Sequence, residues 1–192
     1  MGRWEPDTRR RLAQAALELF IEQGYEATTV NQIAERAGGL TKTTFFRHFP
    51  DKREVLFAAG EQAHGRIVAD AIAAAPDGAT PLQAVAAALD ALAAVFTEER
   101  REFSARLRAV ILGNSELLER AALKRAALAE AMADALRKRD VPDLAASLSA
   151  DLGTRAFYTA YDQWADTDNH EALVDLTRRT LDELRATLTT LG

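Results

Sequence analysis

The chain has 192 residues, 48 % of them hydrophobic and 28 % charged, a balance that supports a packed core with a solvated surface and argues against disorder. It has no cysteine, which excludes a disulfide scaffold, thiolate metal sites and cysteine catalysis, and suits a reducing cytoplasm. The net charge is −5, but it is uneven: residues 1–57 carry +1 and residues 58–192 carry −6, with Lys42, Arg47, Lys52 and Arg53 crowded together. A basic spot on an acidic body suits local contact with phosphates.

Ala and Leu dominate and β-branched runs are missing, so the predicted elements are helices. The first holds Leu12, Ala13, Ala16, Leu17, Phe20 and Ile21 on one stripe, and Gly24 suits the left-handed residue at its end. Thr29-Val30-Asn31-Gln32 reads as a capping box opening a second helix, which Gly38-Gly39 stops. A third helix can start at Thr41, with Phe45 and Phe49 turned inward, and Pro50 ends it. Asp51 caps a fourth, which fades at Pro76-Asp77-Gly78. Thr80-Pro81-Leu82-Gln83 restarts helix, and helical patterns follow at about 80–96, 99–112 and 115–138. Beyond Pro142, Leu144, Leu148, Leu152 and Ala156 mark a stripe that leads to Tyr161 and Trp164. After a loop at 167–169, Leu173, Leu176, Leu184, Leu188 and Leu191 mark the last helix. The expected fold is all-α, with about nine helices. It divides into a three-helix head at 1–57, with a helix-turn-helix at about 30–49, and a larger helical body at 58–192.

Two helices joined by a tight turn can lay the second in the major groove, where its outer face must be small and polar and its inner face apolar. Thr41, Lys42, Thr43 and Thr44 supply the first requirement and Phe45 and Phe49 the second, while Arg47 and Lys52 can meet phosphates. No apolar run reaches the length of a membrane span. No His/Asp/Glu cluster has metal spacing, and no catalytic or cofactor motif is present. The expectation is therefore a non-enzyme with no metal, no cofactor and no membrane partner. An α-helical enzyme or lipid carrier would need a catalytic constellation that the sequence lacks.

The stretch from Thr29 to Leu56, with Gly24-Tyr25 before it, Ala37-Gly38, an aromatic pair, His48-Phe49 and Asp51-Lys52, resembles the DNA-binding signature of the TetR family of transcriptional regulators. The resemblance covers about 9–57. It implies that Thr29, Thr41, Lys42, Thr43, Thr44, Phe46, Arg47, His48 and Lys52 lie at or near DNA. Phe46 stands where the family often has Tyr, so a hydroxyl–phosphate bond is replaced by apolar contact with sugar or a thymine methyl. The turn Ala37-Gly38-Gly39-Leu40-Thr41 is one residue longer than the family's usual turn.

The resemblance further implies that 1–57 is a DNA-binding domain and 58–192 an effector-binding and dimerisation domain, with a double-stranded DNA operator, a homodimer, and a repressor released by a small effector; an activator or effector-independent binder of the same fold is the alternative. Phe96, Phe103, Arg106, Phe157, Tyr161 and Trp164 are the candidate effector residues, and they favour an apolar or amphipathic ligand over a metal or a sugar phosphate. The leucine stripes of the last two helices are the candidate dimer surface.

Overall fold

The structure is a computed structural model that describes residues 5–166 and 168–191, without the side chains of 5, 6 and 58–62; Thr167, in the expected 167–169 loop, lies outside the described residues. Among the described residues there are nine α-helices and no strand. They are α1 (Glu5–Gln23), α2 (Val30–Arg36), α3 (Lys42–His48), α4 (Ala58–Ala73), α5 (Pro81–Ala93), α6 (Arg101–Leu112), α7 (Ser115–Arg137), α8 (Asp143–Trp164) and α9 (Leu173–Leu191). Single turns of 3-10 helix precede α4, at Arg53–Leu56, and α6, at Glu98–Arg100.

The boundaries follow local chemistry. Thr29 and Thr80 form complete capping boxes with Gln32 and Gln83, each hydroxyl accepting from the third amide while the glutamine oxygen accepts from the cap amide. Gly24 adopts φ 86°, the left-handed conformation expected at the end of α1. Thr41 is the cap of α3 and not its first helical residue, because its hydroxyl accepts from the Thr44 amide. Asp51 Oδ1 accepts from the Glu54 amide as expected, but the segment tightens into 3-10 geometry before α4 begins.

The chain forms two compact units, one of residues 1–62 with 106–124 and one of 63–105 with 125–192. The first unit has its own core of Leu12, Ala16, Phe20, Ile33, Phe45, Phe49, Val55 and Phe57, joined by Leu117 from α7. Two polar pairs bind the same segment to the head. The Tyr25 hydroxyl donates to Glu116 at 3.1 Å, and Arg120 pairs with Glu54, both side chains largely buried. Burial and the Glu116 carboxylate push the Tyr25 phenol well above its ordinary range.

The second unit is built on α5, α8 and α9, with Val85, Leu89, Leu92, Met132, Leu136, Phe157, Trp164 and Leu176 buried. Gly153 lets α8 approach α5 closely: a Cβ there would collide with Val85. Arg101 is buried beneath Trp164 and fully engaged. Its guanidinium donates to Glu98 and to the carbonyls of Trp164, Asn169 and Glu171, tying off the end of α8 and the loop behind it.

Candidate nucleic-acid interface

The exposed face of α3 follows from its packing. Phe45 and Phe49 are buried with ring centroids 5.4 Å apart, and the burial of each is worth about 1.5–3 kcal/mol. At 100° per residue this leaves Lys42, Phe46, Thr43 and Arg47, in that angular order, on a continuous outward arc, and all four are exposed. Phe46 is 46 % exposed, edge-on to Phe45 at 5.5 Å, with the Lys42 ammonium 5.8 Å from its ring centroid. The arc therefore presents a cation at each side, a hydroxyl, and an apolar ring between them. That mixture matches the base edges and flanking phosphates of a major groove.

The other candidates divide. The Thr41 and Thr44 hydroxyls lie 3.0 Å apart and serve the helix cap. Thr29 is exposed, but its hydroxyl is held by Gln32 at 2.8 Å. His48 is half-buried beside the Phe49 ring. Lys52 differs most from expectation. Its ammonium turns inward, donating to the carbonyls of Tyr25 at 2.7 Å and Thr28 at 3.0 Å, and lies 4.0 Å from the Tyr25 ring centroid. It locks the α1–α2 turn. Arg53 approaches Asp51 at 3.5 Å.

Four residues outside the expected set shape this surface. Gly38 and Gly39 take φ 104° and 71°, and Arg11 closes over Gly38 to donate to the Ala37 carbonyl. Two successive left-handed glycines absorb the extra length of the turn, which lets Leu40 donate back to Ala34 at 2.9 Å before α3 starts. Arg36, at the end of α2, is spent on Glu22 through two bonds of 2.9 and 2.8 Å, and the arginine holds that carboxyl below its usual range. The glycine pair was visible in the sequence as a stop; the arginine roles depend on contacts 14 and 26 residues apart.

Four of the six candidate effector residues lie together in the second unit. In the second unit Phe96 contacts Phe157, Tyr161 and Trp164 at 5.7, 5.5 and 6.0 Å, with His64 at 5.4 Å. Phe157 and Trp164 are core residues, 2 % and 1 % exposed; Phe96 and Tyr161 are half-buried. Phe103 makes no ring contact among the described residues, and Arg106 belongs to the first unit. Among the described residues no group of His, Asp and Glu could hold a metal ion, and no single helix is long and apolar enough to cross a membrane.

The profile of bacterial regulatory proteins of the tetR family matches residues 12–59. The transcriptional regulator TcmR of Streptomyces glaucescens is 46 % identical over 85 residues, 44 % of this chain and 37 % of TcmR. The chain thus spans less than half the length of the curated relatives it matches. Among solved structures, a transcriptional regulator of Pseudomonas aeruginosa PAO1 shares the fold with a TM-score of 0.61 at 17 % identity, over 96 % of this chain and 93 % of that one. Thermus thermophilus FadR, a TetR-family repressor solved with lauroyl-CoA, aligns with a TM-score of 0.56 at 23 % identity, over 92 % of each chain. Residues 12–59, the helix-turn-helix head, thus match the tetR family of bacterial regulatory proteins, and the chain as a whole shares the all-helical fold of these solved regulators.

Proposed function

We propose that the chain is a DNA-binding transcriptional regulator, a repressor that grips a near-palindromic operator as a homodimer and releases it when a small molecule enters the body. The observation that carries this reading is the outward arc of α3, with Lys42, Thr43, Phe46 and Arg47 exposed above a fully packed head. Thr43 and Phe46 meet base edges; Lys42 and Arg47 meet phosphates or guanine. Thr29, Thr41 and Thr44 shape the helix starts, and Lys52 holds the turn beneath them. A partner of this kind places the protein in the cytoplasm.

The dimer reading rests on α8 and α9. Leu173, Leu176, Thr177, Thr180, Leu181 and Leu184 face the core of the second unit, and the same stripe runs on to Leu188 and Leu191, 49 % and 77 % exposed. Leu144 and Leu148 on α8 are also exposed, at 72 % and 54 %. Apolar surface of this extent on two neighbouring helices suits a two-fold mate.

The effector reading rests on the half-buried rings of Phe96 and Tyr161 beside a buried aromatic floor. An effector acts only if it binds one of two states better than the other. The test is fluorescence anisotropy on duplex DNA from upstream of the chain's own gene, across a salt series, followed by release on adding candidate ligands. Tight salt-dependent binding without any ligand response would favour an effector-independent regulator of the same fold.

A further inference from the structure

Most cations of the head outside the arc of α3 are already matched. Arg10 pairs with Asp7 at 2.8 Å, Arg11 donates to the Ala37 carbonyl, Arg36 is held by Glu22, and Arg53 approaches Asp51. Lys52 donates to the carbonyls of Tyr25 and Thr28. Arg9, near the start of α1, breaks the pattern. Its guanidinium carbon lies 5.3 Å from the Phe49 ring centroid, and among the described residues no carboxylate or carbonyl accepts from it. Its Nε is shut off from solvent with no partner, while the side chain as a whole is half-buried. The guanidinium is therefore clasped at its inner edge, and its two Nη groups reach the surface unmatched.

The position of this cation gives it meaning. Phe49 is the cap residue at the end of α3 and directly follows Arg47 and His48, so Arg9 stands at the carboxyl end of the recognition helix. That end carries the negative pole of the helix dipole, which disfavours an approaching phosphate unless a cation offsets it. α3 has seven residues and is about 10 Å long, and a helix of this size in a major groove about 12 Å wide has a sugar–phosphate wall at its flank. A planar guanidinium held flat against a ring presents two parallel donors, the geometry that matches two phosphate oxygens. A charged group with one donor buried and unmatched calls for a partner that the chain itself does not supply.

We propose that Arg9 is a DNA-backbone clamp: its two Nη groups donate to one phosphate of the operator strand that flanks the end of α3, and Phe49 fixes the plane of the guanidinium. The contact carries no base preference; it sets the register in which Lys42, Thr43, Phe46 and Arg47 meet the groove. The inference rests on the regulator reading above and adds to it a contact from α1, outside the helix-turn-helix.

The test is fluorescence anisotropy across a salt series, with the full chain, on the duplex from upstream of its own gene and on a scrambled duplex of equal length. The parent is compared with Arg9→Gln and Arg9→Lys. Arg9→Gln is expected to weaken both duplexes about tenfold, to make the log–log salt slope shallower by about 0.9 for each protomer bound, and to leave the ratio of the two affinities unchanged. Arg9→Lys should restore the slope but only part of the affinity, because the ammonium keeps the charge and loses the paired donors. Methylphosphonate substitution, neutralising one phosphate at a time, should reveal one position in each half-site that costs the parent affinity and costs Arg9→Gln nothing. A lower Tm for Arg9→Gln with the full salt slope retained makes Arg9 a part of the fold and overturns the clamp. A loss confined to the upstream duplex makes it a base reader and overturns the clamp as well. The failures are distinguishable: a parent that binds while both variants keep its affinity and slope loses only the clamp, whereas a parent that binds neither duplex loses the regulator reading and the clamp together.

Discussion

Replacing Lys52 by Met separates two roles that its place in the motif leaves entangled. The substitution keeps the length of the side chain and removes the charge. It takes away donors from the carbonyls of Tyr25 and Thr28, at 2.7 and 3.0 Å, and a cation 4.0 Å from the Tyr25 ring centroid. Hydrogen bonds from a charged donor are worth about 1.5–3 kcal/mol each, and the ring contact about 0.5–1 kcal/mol. Part of this is offset, because a half-buried ammonium no longer has to be desolvated. The net loss is about 2–3 kcal/mol, roughly a 30- to 150-fold rise in local opening. Amide hydrogen exchange across residues 24–29, in the absence of DNA, reads this directly. The log–log salt slope of DNA binding should stay within half a unit of the parent, because the ammonium is occupied inside the head. Unchanged exchange together with a slope shallower by about 0.9, the signature of one lost phosphate contact, would refute the reasoning.

Three further outcomes are expected. Gly38→Ala should destabilise the head more than Gly39→Ala. Both glycines pay the left-handed penalty of roughly 1–2 kcal/mol, but only the Cβ at 38 strikes Arg11; equal urea midpoints would contradict this. Leu188→Arg, at an exposed position that does not serve the core, should shift the protein to monomer in analytical ultracentrifugation while leaving its helix content intact, and an unaltered dimer would remove α9 from the interface. The Tyr25 phenol is raised in the folded state, so its contribution is full below pH 10 and falls as the pH climbs past the ordinary tyrosine value of 10.0. Tyr25→Phe should therefore be slightly less stable than the parent at pH 7, and should lose less on going to pH 11; parallel pH curves would show that the phenol is not coupled to folding.

The parts of this molecule legible in the sequence are those that local chemistry decides. The Thr29 and Thr80 capping boxes, the left-handed Gly24 and the inward Phe45 and Phe49 each depend on residues within one or two turns. The parts that were not legible depend on long-range partners. Nothing in residues 106–124 signals that Leu117 completes the head core, or that Glu116 and Arg120 meet Tyr25 and Glu54, because an amphipathic helix start looks the same whichever surface it covers. Lys52 reads as a phosphate contact by its place in the motif, yet the curl of the α1–α2 turn offers it two carbonyls first. Trp164 reads from the sequence as core or interface first, and as pocket wall second. Arg101, 63 residues away, decides its position by stacking on the indole and bonding its carbonyl.

Everything proposed for this protein depends on the outward arc of α3 reading DNA. The most direct measurement is anisotropy of a labelled duplex from upstream of the chain's own gene, titrated beside a scrambled duplex of equal length. The upstream duplex should bind at least about a thousandfold more tightly at physiological salt. Thr43→Ala and Phe46→Ala should shrink that ratio, and Arg47→Ala should weaken binding and flatten the salt slope. Equal affinity for the two duplexes, or a ratio untouched by all three substitutions, would contradict it.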